Sequence, residues 1–237
     1  GSFTTSSQWG TGNVNIEPQG SVVVTNNSDS SLFVFDNTLS GSGTLLVNFS
    51  GSENGTDLYT PTFKIQQGTI SGFTGMVELA GEKNKKVVYI LDSDELSTSG
   101  IRVNDNSVLS VGRDDSSKET FTLGTLDIAG GELNIGDIQT GSPTSYKTIR
   151  ITKKLNADGE GTVRIDTSAG FINAVPATES ELQTLPLMEQ DDGLQKTSMM
   201  LVNAKGAEII GSAGGLSLVD QNGKVLSNSL TSQIIQN

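Results

Sequence analysis

The chain alternates apolar and polar residues in short runs of three to five positions. Gly, Asn, Asp or Ser separates one run from the next, and the 3.6-residue period of a helix is almost absent. Such alternation places every second side chain on one face of a strand. Because strands this short cannot fill a sandwich layer, the pattern favours a solenoid of stacked coils. The predicted strands are 14–16, 21–25, 32–35, 45–49, 63–65, 76–79, 87–91, 101–103, 108–111, 121–123, 126–128, 133–135, 149–151 and 163–165.

A loose repeat of Gly-Thr followed by an aliphatic residue supports stacked coils. It begins at Gly43, Gly68, Gly124 and Gly161, and a related unit begins at Gly131. We interpret each glycine as a corner where the backbone bends, after which aliphatic side chains point inward and polar ones outward. The spacing predicts roughly 20 to 25 residues per coil and about ten coils. A rod on the order of 50 Å long follows from the spacing of stacked strands.

Residues 176–192 depart from this alternation. The segment has no basic residue, and a loop excursion or a short helical turn is expected there. We select its carboxylates as a candidate partner-binding loop: Glu179, Glu181, Glu189, Asp191 and Asp192.

Residues 216–226 predict a β-hairpin. Asn222-Gly223 suits a type I′ turn, in which both central residues need a positive φ. A hairpin near the end of a solenoid covers its open edge. The sequence therefore predicts a hairpin-containing cap in the C-terminal part of the chain.

Composition limits the available chemistry. Gly, Ser, Thr and Asn make up 99 of the 237 residues, and His and Cys are absent. Their absence excludes Ser-His-Asp and Cys-His catalysis, zinc sites of the usual ligands, and disulfides. The longest apolar runs have only a few residues, so no run predicts a membrane-spanning helix. We predict no cofactor.

The charge balance argues against nucleic acid as a partner. The net charge is −12 and the isoelectric point is about 4.3, and such a surface repels phosphate backbones. The nearest basic cluster is Lys83, Lys85 and Lys86, which lies beside Glu82 and which we interpret as a solvated turn. An acidic, cysteine-free chain rich in Asn, Gly and Ser fits an extracellular bacterial protein.

Several stretches resemble the passenger domains of autotransporters, the exported portions of type V secretion proteins. Leu39-Ser-Gly-Ser-Gly43-Thr44-Leu45 is similar to their Leu-x-Gly-x-Gly-Thr-Leu rung. The segment 73–79 has their recurrent Phe-x-Gly-x-Val-x-Leu pattern. Residues 201–220 resemble the pertactin-like C-terminal passenger segment of the AIDA type.

The resemblance implies a right-handed parallel β-helix on the surface of a Gram-negative bacterium. It implies export through the outer membrane by a C-terminal β-barrel of the full-length chain. It also implies passenger coils over residues 1–160, followed by autochaperone-like coils and the cap over 161–237. The chain starts with Gly1-Ser2 and stops in mid-pattern at Asn237, so we expect a piece of a longer protein.

The acidic residues leave two chemical alternatives. A polysaccharide lyase or hydrolase is the weakest hypothesis, because Asp114 and Asp115 are adjacent and would point to opposite faces of a strand. Calcium is the metal to consider, because Asp92, Asp94 and Glu95 form an oxygen-rich turn. That turn lacks the Gly and the distal Glu of an EF-hand loop, so we interpret it as a solvated turn and predict no metal site.

These observations predict a non-catalytic fragment of a secreted surface protein. Ladders of outward Asn, Thr, Asp and Ser residues offer hydrogen bonds to a partner, and loops between coils offer others. The expected role is adhesion, a virulence function, or cell–cell self-association and biofilm formation. The expected partner is a host surface or extracellular-matrix protein or glycan, or another copy of the chain. The alternative is a structural stalk and autochaperone that templates the folding and secretion of a passenger whose activity lies upstream.

Overall fold

A computed structural model describes the chain in several ranges. They are 12–26, 32–49, 62–66, 68–83, 86–112, 118, 120–134, 148–156 and 161–164, together with the backbone of six short strands at 2–4, 188–190, 201–202, 208–210, 216–219 and 234–235. In these ranges the chain forms strands and turns, and none of it makes an apolar helix that could cross a membrane.

The described residues form twenty-one β-strands. Most are three to six residues long, whereas β13 and β15 each run through two sides of a coil. In chain order the strands are β1 (Ser2–Thr4), β2 (Asn13–Ile16), β3 (Ser21–Asn26), β4 (Leu32–Phe35), β5 (Thr38–Gly41), β6 (Thr44–Phe49), β7 (Thr62–Ile65), β8 (Ile70–Phe73), β9 (Met76–Leu79), β10 (Val87–Leu91), β11 (Gly100–Asn104), β12 (Ser107–Val111), β13 (Thr120–Ala129), β14 (Glu132–Asn134), β15 (Thr148–Asn156), β16 (Gly161–Arg164), β17 (Met188–Gln190), β18 (Leu201–Val202), β19 (Glu208–Ile210), β20 (Leu216–Val219) and β21 (Ile234–Ile235).

The strands assemble into three parallel sheets. Sheet A follows the order β1-β3-β6-β9-β11-β13-β15-β17-β18-β21, with β19 also paired to β15. Sheet B is β2-β5-β8, and sheet C is β20-β16-β14-β12-β10-β7-β4. From β2 to β10 the chain visits sheets B, A and C in turn and then returns one level farther along, and from β11 to β16 it alternates between sheets A and C. This architecture is a parallel β-helix, as the sequence predicted.

The coils are held in register by ladders of inward aliphatic side chains. In sheet A the partners Leu45, Val77, Ile101, Leu126 and Leu155 follow one another, and all five are fully buried. The number of residues between successive partners is not constant, and it is largest between Leu45 and Val77. The predicted length of roughly 20 to 25 residues per coil is therefore too short for some coils, which carry additional residues between strands.

An aromatic stack fills the core beside sheet C. The ring of Phe63 lies 5.8 Å from that of Phe33, 6.0 Å from that of Phe49 and 5.7 Å from that of Tyr89. Offset and edge-on pairs at these separations add about 0.5–1.5 kcal/mol each beyond the buried area. The stack therefore gives the three coils that contain β4, β7 and β10 a large shared core.

The corner glycines are needed for close backbone approach. A Cβ on Gly43 would lie 2.4 Å from the carbonyl oxygens of Glu17 and Gly20 in the preceding coil, and one on Gly124 would lie 2.3 Å from the carbonyl oxygen of Ser99. Any larger residue would force these coils apart. The predicted corners at Gly43 and Gly124 are therefore confirmed, and the physical reason is contact between stacked coils.

Most of the predicted runs are strands in the structure. All fourteen fall within strands, except for the terminal residues 135 and 165, which lie outside the described residues. The sequence missed β5 and β8, which supply the third side of the coil. Asn222 and Gly223 of the predicted cap hairpin lie outside the described residues. Sheet C runs across the proposed boundary at 160/161, since β14 pairs with β16.

Candidate functional site

A ladder of charged residues runs in register along the outer face of sheet A. Glu78 on β9 is opposite Arg102 on β11, which is in turn opposite Asp127 on β13. All three point outward because the residues on either side of each are buried in the core. The charge alternates from negative to positive to negative over three successive coils. We call Glu78, Arg102 and Asp127 the charge ladder.

The members of the charge ladder differ in accessibility. Arg102 Nε lies 3.5 Å from Asp127 Oδ2, and the two side chains are 46% and 14% exposed. Asn156 Nδ2 donates a 2.9 Å hydrogen bond to Asp127 Oδ1. Burial raises the pKa of the Asp127 carboxyl above its ordinary value, although the Arg102 charge and the Asn156 hydrogen bond oppose the rise. Asp127 is thus an anchored acceptor, and Arg102 is the accessible charge.

Asn104 orients the remaining member of the ladder. Its Nδ2 donates to Glu78 Oε1 at 2.9 Å and to the carbonyl oxygen of Leu79 at 3.0 Å. These bonds join neighbouring coils and hold the Glu78 carboxylate on the outer face. The result is a polar outer face with a fixed order of charges.

The third side of the β-helix is interrupted by a turn at residues 92–99. Within the described residues sheet B ends at β8, and the next coil has no strand at this place. The amide of Ser97 donates to the carbonyl of Asp94 at 3.0 Å, and that of Ser99 donates to the carbonyl of Leu96 at 3.2 Å. Leu96 is fully buried and fills the core in place of strand side chains. The third side resumes with the first half of β13.

Two carboxylates fasten this turn to neighbouring coils. Asp92 Oδ2 lies 2.6 Å from Lys64 Nζ on β7. Asp94 Oδ1 accepts a 2.7 Å hydrogen bond from the Thr122 amide, and its Oδ2 lies 2.9 Å from Lys118 Nζ. Asp94 therefore occupies the place where a carbonyl group of a strand would otherwise meet the Thr122 amide.

The third carboxylate of the turn, Glu95, accepts hydrogen bonds from two hydroxyl groups. Its Oε1 accepts a 3.0 Å hydrogen bond from the hydroxyl of Tyr89, and its Oε2 accepts one from Ser93 Oγ. Burial raises the pKa of the Glu95 carboxyl, and burial together with the Glu95 charge raises that of Tyr89. The interpretation of a solvated turn is wrong for Asp92 and Glu95, each 8% exposed, because both side chains pack between coils.

A groove of about 850 Å³ opens between β8 and the turn. Ile70, Gly72 and Thr74 line one wall, and Asp94, Thr98 and Lys118 line the other. An added Cβ at Gly72 would meet no atom within 4 Å, so this part of the groove is open space. We call it the β8 groove. No pattern along the chain predicts it, because it depends on the replacement of a strand by the 92–99 turn.

In the described part of the chain, no three Asp or Glu side chains are grouped so that they could hold a metal ion. The carboxylates of the 92–99 turn contact lysines, amides and hydroxyls instead. Asp114 and Asp115 lie outside the described residues.

The sequence also did not predict a buried ion pair on sheet C, between Arg164 and Glu132. Arg164 Nε and Nη2 donate to Oε1 and Oε2 of Glu132 at 2.6 and 2.9 Å, and Lys86 Nζ lies 3.4 Å from Oε2. Of the lysine cluster that the sequence places in a solvated turn, Lys83 is exposed, and Lys86 is 35% exposed while its ammonium group reaches Glu132. Lys85 lies outside the described residues.

The candidate partner-binding loop falls mostly outside the described residues. This holds for Glu179, Glu181, Asp191 and Asp192. Glu189 lies in β17, where its backbone is in register with Arg150 of β15.

Comparisons with known proteins give one similarity of low identity. No protein-family model and no solved structure matches the chain. YuaQ, an uncharacterized protein of Escherichia coli (strain K12), is 27% identical over 239 residues. The similarity covers 99% of this chain and 16% of YuaQ, so the chain spans about a sixth of the length of the relative it matches. The name of this relative states no activity.

Proposed function

We propose that the chain is part of the exported passenger of an autotransporter-type surface protein and acts without catalysis in adhesion and cell–cell self-association. The observation that carries the proposal is the charge ladder on the outer face of sheet A. The β-helix architecture and the similarity to a far longer bacterial protein support it. A second copy of the chain is the partner that this face fits best.

The ladder is self-complementary because its charges alternate from coil to coil. Neighbouring strands lie about 4.8 Å apart, so the three charges form a row with that repeat. When two copies stack face to face with antiparallel axes, a symmetric placement brings Glu78 of each copy opposite Arg102 of the other. Two such pairs form at once, as two-fold symmetry requires.

The energetics predict weak and salt-sensitive contacts. Exposed ion pairs contribute about 0.2–1 kcal/mol each, and salt screens them over a Debye length of about 8 Å at physiological ionic strength. Many copies on opposing cell surfaces would multiply a weak contact into strong adhesion. This behaviour suits reversible clustering of cells.

Charge reversal on one member of the ladder tests the proposal. Arg102→Glu makes all three ladder charges negative, and Glu78→Lys makes two neighbouring charges positive. We expect each variant alone to self-associate less than the wild type in sedimentation velocity, and their mixture to associate again. Lys83→Glu, which makes the same charge change at an exposed position off the ladder, is the matched control. Equal association of the wild type and Arg102→Glu would refute the role of the ladder.

A stalk and autochaperone is the second candidate, and the continuity of the sheets favours it. β16 adds to β14 of the preceding coil and β19 adds to β15, so residues after 160 extend the same stack. A folded C-terminal part could template the coils before it. Deleting residues 161–237 should then slow refolding of the remainder; an unchanged refolding rate would count against templating.

A further inference from the structure

We propose that Asp127 is a positioning residue for self-association: it holds Arg102 through Nε, so that the terminal nitrogens of the guanidinium are presented to Glu78 of a second copy. This role rests on the proposed function and gives the two carboxylates of the charge ladder different tasks. Glu78 is the group that the partner recognises, whereas Asp127 acts through Arg102 of its own chain.

Glu78 and Arg102 are neighbours on adjacent strands, yet they do not pair with each other. They are in register on β9 and β11, and neighbouring strands lie about 4.8 Å apart. The structure shows no ion pair or hydrogen bond between these two side chains. Arg102 Nε instead contacts Asp127 Oδ2 on the following coil. Within one chain the ladder therefore leaves a donor and an acceptor side by side and uncombined.

Each carboxylate of the ladder is tied through one oxygen to an asparagine on the next coil. Asn104 Nδ2 donates to Glu78 Oε1 at 2.9 Å. Asn156 Nδ2 donates to Asp127 Oδ1 at the same distance, 2.9 Å. The second oxygens differ, because Asp127 Oδ2 lies 3.5 Å from Arg102 Nε whereas Glu78 Oε2 has no hydrogen bond or ion pair with a described residue. Glu78 thus keeps one fixed acceptor for a partner.

Arg102 is held on one edge and accessible on the other. A guanidinium carries five N–H donors in one plane, and the contact to Asp127 uses the Nε edge. The two terminal nitrogens bond to no described residue, and 46% of the side chain is exposed. A flexible side chain that is fixed before binding loses less entropy when it binds. Asp127 therefore favours the contact with a second copy by holding Arg102 in place.

The direction of the Asp127→Asn effect separates positioning from charge repulsion. Two copies with a net charge of −12 repel each other, so loss of a carboxylate should by itself favour association. Asp127→Asn keeps an acceptor for Asn156 but no longer holds Arg102 by charge. We expect it to weaken self-association at least about threefold in sedimentation velocity at low salt. Asp36→Asn, which removes an exposed carboxylate off the ladder, should associate at least as well as the wild type.

The mobility of Arg102 gives a second readout that does not depend on association. Nitrogen-15 relaxation of Arg102 Nε is measured in dilute protein at high salt, where copies are separate. We expect a rigid Nε in the wild type and a mobile one in Asp127→Asn. Melting curves confirm that each variant folds. Asn156→Ala, which removes the anchor of Asp127, should change both readouts in the same direction, and it replaces Asp127→Asn if that variant does not fold.

The outcomes separate the role of Asp127 from the proposed function. If Asp127→Asn associates as strongly as Asp36→Asn while Arg102→Glu associates less than the wild type, the positioning role is overturned and the ladder stands. Equal association of the wild type and Arg102→Glu would overturn both. An Arg102 Nε that is as mobile in the wild type as in Asp127→Asn would also overturn the positioning role.

Discussion

Arg164 holds Glu132 with two parallel hydrogen bonds between neighbouring coils of sheet C. The donor–acceptor distances are 2.6 and 2.9 Å, and the side chains are 9% and 10% exposed. Both charges are nearly removed from water, so each depends on the other for its compensation. This geometry makes the pair a sensitive probe of coil stacking.

Removing the arginine should destabilise the fold. In Arg164→Met the Glu132 carboxylate keeps only the longer contact to Lys86, at 3.4 Å. Because a buried charge loses its main partner, we expect the free energy of unfolding to fall by about 3 kcal/mol. Urea denaturation measures this, with Lys83→Met at an exposed position as the control. A loss no larger than that of the control would mean that the pair does not stabilise the stack.

Glu132 should also make stability depend on pH in a defined direction. Burial alone would raise its pKa, but the Arg164 hydrogen bond and the charges of Lys86 and Arg164 lower it below the ordinary value of 4.5. A group with a lowered pKa stabilises the fold above pH 4.5, and this stabilisation is lost as the pH falls through the pKa that the group has in the folded chain. The stability difference between the wild type and Glu132→Gln should therefore shrink as the pH is lowered from neutrality into the acid range. A difference that stays constant would contradict the lowered pKa.

Glu95 should behave in the opposite way. Its pKa is raised, chiefly by burial, so the folded chain holds the proton more tightly than the unfolded chain. The stabilisation that the protonated Glu95 contributes to the fold is complete below pH 4.5, the ordinary pKa of a glutamate. This stabilisation declines as the pH rises through the pKa of Glu95 in the folded chain. We expect Glu95→Gln to be more stable than the wild type at neutral pH, with the advantage vanishing under acid conditions. Thermal melts across this range, paired with Glu132→Gln, make the comparison.

A single methyl group at a corner should disturb the stacking of coils. A Cβ at Gly124 would come within 2.3 Å of the Ser99 carbonyl oxygen, whereas one at Gly12 meets no atom within 4 Å. We expect Gly124→Ala to lower the free energy of unfolding by about 1–3 kcal/mol, the usual cost of overpacking. Gly12→Ala should be neutral in the same denaturation experiment. Similar stabilities of the two variants would show that the corner has room to relax.

The sequence predicted those parts of the fold that depend on alternation along one strand. Most strands of sheets A and C in the well-described part of the chain were predicted, because strands such as β6 place every second residue in the core and that residue is apolar. Of the three strands of sheet B, β2 was predicted, whereas β5 and β8 were missed because they contain Ser and Gly where the alternation would need apolar residues. Gly41 and Gly72 also have positive φ values, which bend these strands.

The candidate site depends on pairing between coils, which the sequence does not reveal. Arg102 is in register with Glu78 on one side and Asp127 on the other, yet the step along the chain between partners differs from coil to coil. Lys86 and Glu132 are 46 residues apart and meet across two coil levels. Without the register, no pattern of charges along the chain would identify these contacts.

The most direct test of the central claim is clustering of beads that carry the chain in place of cells. Beads coated with the wild type or with Lys83→Glu should aggregate at low salt and disperse when salt is raised, because exposed ion pairs hold them together. Beads coated with Arg102→Glu should remain dispersed, and they should join beads coated with Glu78→Lys. Dispersed wild-type beads, or equal clustering of wild-type and Arg102→Glu beads, would contradict the claim that this face mediates self-association.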